Sequence, residues 1–381
     1  MKERKLNIQK LTTLFLLVIF IISVPAISQL QDITENTTDS PMFRADIKHS
    51  GAYNTTAVTN FNGVKWKFVT ELARASESTP AIQDGVIYFG SGAGVFYAVD
   101  ISTGKKIWEF KARKKIQSSP AISSGIVCFG SEDSTFYALD SKTGKERWRF
   151  STRDKIIASP MVFDSLVYFG SDDFSLYALN IYTGALIWKK ETYGKIQSSP
   201  CTADGLLFFG SRNGVIHAIE AETGKDKWSY VTGLGIISSP SVSNGIVYIG
   251  SRDGALYAIE ADSGILRWKF RTRGKVHSSP AVLDNIVCFT SKDGFCYAVD
   301  ALSGEEKWKY GANEHPLVSS PAIADGVIYY GSYSGHLYAV DLETGEELWS
   351  FKSGQRIMSA PVVLDGVVYF ASWDGCVYAL H

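Results

Sequence analysis

Short apolar runs separated by turn residues fill most of the chain. Residues 239–270 show the pattern. Ser239-Pro240-Ser241-Val242 is followed by Asn244-Gly245, and Ile246-Val247-Tyr248-Ile249 by Arg252-Asp253-Gly254. Ala255-Leu256-Tyr257-Ala258-Ile259 is then followed by Asp262-Ser263-Gly264, and Leu266-Arg267-Trp268-Lys269-Phe270 closes the set. Asn-Gly and Asp-Gly between β-branched and aromatic runs signal tight hairpins. The segment therefore predicts four antiparallel strands, A to D, with no helical periodicity between them.

The same pattern recurs along the chain. Its proline stands at Pro80, Pro120, Pro160, Pro200, Pro240, Pro280, Pro321 and Pro361, steps of forty residues apart from one of forty-one. A fixed period of this length marks a repeat architecture, and four-stranded units at this spacing predict an all-β, eight-bladed β-propeller. Proline suits strand A, whose inner edge borders the central channel, because it has no N–H to pair. Trp108, Trp148, Trp188, Trp228, Trp268, Trp308 and Trp349 each follow a turn glycine by four residues and are expected to fill the wedge between blades. The last repeat ends at His381, after strand C. Near the N-terminus Val64-Lys65-Trp66-Lys67-Phe68 spells a strand D with no partners before it. Pairing the two completes the last blade, closes the ring and hides two sheet edges.

Ahead of the repeats, Lys2, Arg4, Lys5 and Lys10 precede an apolar run from Leu11 to Val24 and then Pro25-Ala26-Ile27-Ser28. Residues 1–28 read as a secretory signal peptide, with an uncleaved anchor as the alternative. The chain is thus expected to be exported, to a periplasmic, cell-surface or extracellular site. Any membrane attachment is expected through this segment alone. Residues 29–60 read as a polar lead-in, extended or weakly ordered, and residues 61–381 as the propeller. The lead-in carries two N-glycosylation triplets, at Asn36 and Asn54. With 38 basic and 39 acidic residues the chain lacks the charge excess that nucleic-acid binding needs. Export permits disulfides, yet the five cysteines make no framework. Cys128 and Cys288 share one repeat position four repeats apart. Cys288 and Cys296 are expected about three hairpin rungs apart, beyond the roughly 7 Å that a disulfide spans.

The string Ala98-Val99-Asp100-Ile101-Ser102-Thr103-Gly104-Lys105-Lys106-Ile107-Trp108 recurs with small changes through Ala339–Trp349. It resembles the tryptophan-docking repeat of pyrroloquinoline quinone (PQQ)-type propellers. The stretch from Asp39 through Phe43-Arg44 to Gly51 resembles their lead-in. The resemblance implies two functional classes. One is the quinoprotein dehydrogenases, with PQQ and calcium at the propeller centre. The other is non-catalytic, BamB-like propellers that bind proteins. The dehydrogenases carry a vicinal cysteine pair and long inserts, and this chain has neither. The strand-A starts offer one carboxylate, Glu77, where a calcium site wants several oxygen ligands. We therefore expect no catalytic, cofactor or metal residues. We expect a protein-binding or scaffolding module of the cell envelope or surface, with a PQQ-dependent oxidoreductase, or a cofactor-less remnant of one, as the alternative.

Loops D–A and B–C share one face, and it is the more variable one, where binding usually sits. Five residues before the proline stand Lys115, Lys155, Lys195, Lys275 and Arg356, a basic rim suited to an anionic ligand or an acidic partner segment. The same residues are equally consistent with solvated loop positions balanced in part by Glu132 and Asp172. The inserted residue falls near His315. The B–C turns of the last two repeats carry Tyr333 and Trp373, with Arg356 between them. His315, Tyr333, Arg356 and Trp373 are the candidate partner-binding sector.

Overall fold

Every repeat forms a blade in a computed structural model of the protein, which describes residues 39–71, 77–311 and 315–381. The signal segment at 1–28, Asn36, and Asn313 and Glu314 of the inserted loop lie outside the described residues. Blades 1 to 7 span 81–111, 121–151, 161–191, 201–231, 241–271, 281–311 and 322–352. Each is an antiparallel A–B–C–D meander. In the A–B turn of blade 1, Asp84 and Gly85 both have positive φ, 51° and 73°. That is the turn whose twist matches a hairpin, and aspartate and glycine tolerate it.

Blade 8 is closed by the N-terminal strand, as expected. Val64–Val69 lies antiparallel to Cys376–Leu380, with Trp66 opposite Ala379 and Val69 opposite Cys376. No covalent turn joins these strands. Instead Asn62 and Gly63 donate their N–H groups to the His381 carbonyl, and the His381 N–H returns to Gly63.

Neighbouring blades are locked by one recurring contact. The Trp108 indole N–H donates to the Ser141 carbonyl at 2.9 Å, just past strand C of the next blade. Trp66, Trp148, Trp188, Trp228, Trp268 and Trp308 do the same to Ile101, Ile181, Ala221, Ala261, Ala301 and Leu342. The turn glycine lies flat against the indole. A Cβ at Gly144, whose φ is 69°, would sit 2.5 Å from Trp108. Blade 8 has no such turn to offer Trp349. The lead-in substitutes: Val58 accepts the Trp349 N–H at 2.7 Å, and Phe61 stacks on the ring.

The lead-in is extended, and its residues 39–58 are built into the ring. Ser40 pairs with Ile82, and Pro41, Ile47, Lys48, Ser50 and Gly51 accept the N–H groups of Ile122, Thr202, Val242, Val282 and Ile323. Each of these donors lies two residues after the repeat proline, on the inner edge of a strand A. Ala52–Tyr53 then runs parallel to strand A of blade 7 as a fifth strand. Unpaired N–H groups along the channel would be costly, and the lead-in carbonyls satisfy them. Arg44 is the centre of this layer, 1% exposed. It donates to the carbonyls of Pro280, at 2.6 Å, and Pro321. Burial lowers its pKa to about 10, so it stays charged at neutral pH.

Five blades tie a strand-C tyrosine to a B–C turn aspartate, as Tyr257 to Asp253 at 2.6 Å. Blade 4 replaces both. His217 stacks on Phe209 and meets Ser211, beside Asn213. All five cysteines are free and buried. Cys288 and Cys296 lie two rungs apart, one fewer than the turn residues suggested, because Cys288 faces Ala298 and Cys296 faces Thr290.

Three outcomes follow for stability. Deleting residues 61–69 opens blade 8 and strands Trp349, so thermal unfolding is expected to move well down for the whole ring; an unchanged transition contradicts closure. Arg44→Met removes the guanidinium donor from two buried carbonyls, leaving that of Pro280 to the Ser241 hydroxyl alone and that of Pro321 with no donor among the described residues, and is expected to cost on the order of 3 kcal/mol in denaturant unfolding. Burial also holds His49 and His217 neutral, with pKa values lowered to about 3 and about 4. The unfolded chain binds these protons near pH 6.5. The stability is therefore full above that pH and is lost as pH falls toward the folded values. Urea midpoints should drop between pH 6.5 and 4, and His217→Tyr should reduce the drop; an identical slope would refute the assignment.

Candidate functional site

On the D–A/B–C face the blades present side chains in pairs. In blades 2 to 8 a backbone hydrogen bond joins the B–C turn to the D–A loop. Glu132 donates its N–H to the Lys115 carbonyl, Asp172 to Lys155, Arg212 to Lys195 and Arg252 to Gly235. Lys292 donates to Lys275, Tyr333 to Pro316 and Trp373 to Arg356, over distances from 2.8 to 3.4 Å. The bond fixes two side chains next to each other at the channel mouth. What a blade shows there is set by these two positions.

The pairs divide the mouth into sectors. In the first, charges cancel. Lys115 Nζ lies 2.9 Å from Glu77, whose other oxygen accepts from Gln117. Asp172, nearly inaccessible, sits between Lys155 at 3.9 Å and Lys195 at 3.1 Å. Lys195 also reaches Asp154 at 3.6 Å. Three of the five expected rim bases are therefore internally neutralised.

In the second sector, Arg356 packs on aromatics. Its guanidinium carbon is 3.3 Å from the Trp373 ring centroid and 5.4 Å from that of Tyr333. Lys115 approaches the same tryptophan from blade 2, at 5.8 Å. It reaches across blade 1, whose B–C turn holds Gly92 at the equivalent position. Cation–π contacts of this kind are worth roughly 0.5–2 kcal/mol. Tyr333, Arg356 and Trp373 are thus brought together, half-buried, as one rigid plate. The indole nitrogen of Trp373 is buried and has no partner among the described residues. His315 is exposed on the neighbouring loop.

The third sector was missed because the B–C turn column was read for its acids and aromatics and not for its cations. Arg212, Arg252 and Lys292 stand twelve residues after it, in the column that holds Glu132, Asp172, Tyr333 and Trp373 in other repeats. With Lys275 they put cations on three consecutive blades. Comparing that column across repeats would have found them.

Glu77 is the one carboxylate among the strand-A starts, and Lys115 and Gln117 already hold it. Among the described residues no three His, Cys, Asp or Glu side chains converge as metal ligands. Asn54, the second glycosylation candidate, is exposed on the lead-in, while Thr55 beside it accepts the Asp365 N–H through Oγ1.

Comparison with known proteins places the chain. A family model described as "Outer membrane protein assembly factor BamB" matches residues 313–381. Quinohemoprotein alcohol dehydrogenase of Comamonas testosteroni is 35% identical over 48 residues, a match spanning 13% of this chain and 7% of that protein. BamB from Moraxella catarrhalis superposes with a TM-score of 0.74 at 19% identity, over 84% of this chain and 99% of that one. The quinohemoprotein alcohol dehydrogenase ADHIIG from Pseudomonas putida HK5 does so with 0.80 at 16% identity, over 90% of this chain and 80% of that one. At such identities the superpositions speak to fold alone. A further family model, described as "Beta-alanine-activating enzyme, beta-propeller", matches residues 73–325, well over half of the chain. The protein is therefore a PQQ-like β-propeller and belongs to this beta-alanine-activating-enzyme propeller family.

Proposed function

We propose that the protein is an exported, non-catalytic propeller that binds a protein or peptide partner on its D–A/B–C face, as a scaffolding module of the cell envelope or surface. The observation carrying this reading is the plate of Tyr333, Arg356 and Trp373. Aromatic side chains and arginine, held rigid and half-exposed, supply contact area without a large entropy loss on binding. His315 borders the plate on a loop that holds the one inserted residue of the repeat.

The relatives include propellers of both functional classes. The short match to quinohemoprotein alcohol dehydrogenase favours the second reading, a PQQ-dependent oxidoreductase or a cofactor-less remnant of one. Against it stands Glu77, which Lys115 and Gln117 already engage. Neither PQQ nor calcium is part of the proposed function.

Crosslinking in the native envelope followed by mass spectrometry is expected to identify a bound protein. The double variant Trp373→Ala/Tyr333→Ala should lower its capture by roughly tenfold or more, with the fold intact by circular dichroism. Undiminished capture would discard the plate as the docking site. Adding PQQ and calcium to purified protein tests the rival reading. Stoichiometric cofactor absorbance with dye-linked alcohol oxidation would replace our reading with the enzymatic one.

A further inference from the structure

Four cations on blades 4 to 6 face the channel mouth without neutralisation. Arg212, Arg252, Lys275 and Lys292 have no carboxylate oxygen within 4.0 Å among the described residues. Arg252, Lys275 and Lys292 line one open cleft of about 380 Å³, together with Arg273 and Asp253. The acids nearby are already engaged. Asp253 accepts from the Tyr257 hydroxyl and the Gly233 N–H, and Asp293 from the Tyr297 hydroxyl and the Arg273 N–H. At the border with the neutral sector, Arg212 donates to Gln197, which donates in turn to Asp172.

Nε of Arg252 and Nε2 of His277 are buried and have no hydrogen-bond partner among the described residues. His277 lies in the D–A loop just before strand A of blade 6, and its charged neighbours are Lys292, Arg252, Lys275 and Arg212. Burial first, then these four cations, lowers its pKa to about 3, so it is neutral at working pH. The same proximity, after burial, lowers the pKa of Lys292. Like charges held together in this way cost stability, and a bound anion relieves that cost.

Apolar side chains flank the cations. The loop before blade 4 carries Tyr193, 97% exposed, and the loop before blade 5 carries Leu234, 55% exposed. Both loops press on the blade-4 turn. A Cβ at Gly194 would lie 2.7 Å from the Asn213 nitrogen, and one at Gly235 would lie 2.3 Å from the Arg212 carbonyl oxygen. Exposed aromatic and aliphatic groups bordering an unpaired basic arc suit a chain that carries both carboxylates and apolar side chains.

Resting on the protein-binding reading above, we infer that blades 4 to 6 take an extended acidic peptide segment of the partner. Its carboxylates meet Arg212, Arg252, Lys275 and Lys292, and its apolar side chains rest on Tyr193 and Leu234. The spread of cations over three blades exceeds what one small anion covers. Arg252, Lys275 and Lys292 line a cleft, into which a single peptide chain fits better than a flat anionic bilayer. Glu132 of blade 2, in the same column, disfavours such a segment there, while Asp172 of blade 3 is already taken up by Lys155, Lys195 and Gln197.

The test uses the full propeller and a fluorescent peptide of alternating glutamate and leucine. Binding by anisotropy is expected at low salt and should weaken steeply as salt rises. Arg252→Asp/Lys292→Glu, which installs the acids that blades 2 and 3 already carry in this column, should weaken it by roughly tenfold or more. Arg252→Gln/Lys292→Gln should lie between, and Lys115→Gln should bind as wild type. Absent binding, or binding unaffected by the charge reversals, overturns the inference. So does inorganic phosphate competing at equal concentration, which marks a small-anion site, or phosphatidylglycerol vesicles binding with the same dependence on Arg252 and Lys292, which marks a membrane surface. The crosslinked partner separates the two proposals. If its capture needs Trp373 but survives Arg252→Asp/Lys292→Glu, the acidic-segment inference fails and the protein-binding reading stands. If the peptide binds but no Trp373-dependent capture occurs, the reverse holds.

Discussion

The inner edge of strand A is the constraint on which the rest depends. A ring of blades leaves one strand edge per blade facing a narrow channel, where N–H groups have little access to bulk water. The repeat proline removes one donor from each edge, and the donor two residues later remains. The lead-in satisfies most of these with its own carbonyls, passing blade after blade from Ser40 to Gly51. Arg44 reverses the polarity at the centre and donates to two carbonyls, those of Pro280, which the Ser241 hydroxyl also reaches, and Pro321. The three non-glycine residues of left-handed conformation in this stretch, Arg44, Ala45 and His49, are held by such bonds and by the Asp46 carboxylate, which accepts from Lys48 and Ser50. Local strain persists here because the surrounding ring determines the path.

Closure obeys the same logic at the outer radius. Each tryptophan needs a carbonyl for its N–H and a flat surface for its ring, and the next blade's C–D turn supplies both. The one blade without that turn gets both from the lead-in, through Val58 and Phe61. The N-terminal segment therefore serves the ring twice, as a lining for the channel and as the missing corner of blade 8. It ties the first described residues to the last strand without a covalent link.

How much of this was legible in the sequence depends on what kind of bond carries it. Blades, turns, tryptophan docking and closure rest on side-chain identity at fixed spacing, and the repeats state that spacing eight times. The course of the lead-in rests on backbone carbonyls, which every residue has, so nothing in residues 39–58 distinguishes a bonded segment from a linker. The rim lysines show a different limit. Lys155 and Lys195 look equivalent to Lys275 in their own column. Their neutralisation comes from Asp172, whose carboxylate reaches Lys195 on the next blade. A charge balance that crosses between blades is invisible until the ring is closed. Tyr333, Arg356 and Trp373 were recognisable as departures from the repeat, but their stacking into one plate needed the backbone bond between turn and loop.

Function in such a ring has to sit where the scaffold places no demand. The Trp, Gly, Pro and Asp-Gly positions are fixed by packing and turn geometry, and changing them costs the fold. The position twelve residues after the proline is different. In blades 2 to 8 its backbone N–H is committed to the D–A loop, while turn geometry does not dictate its side chain. It accordingly varies through Gly92, Glu132, Asp172, Arg212, Arg252, Lys292, Tyr333 and Trp373. Read around the ring, that column runs from acidic through basic to aromatic. One rigid platform thus presents an ordered series of groups, the kind of surface that discriminates between orientations of any segment laid along it.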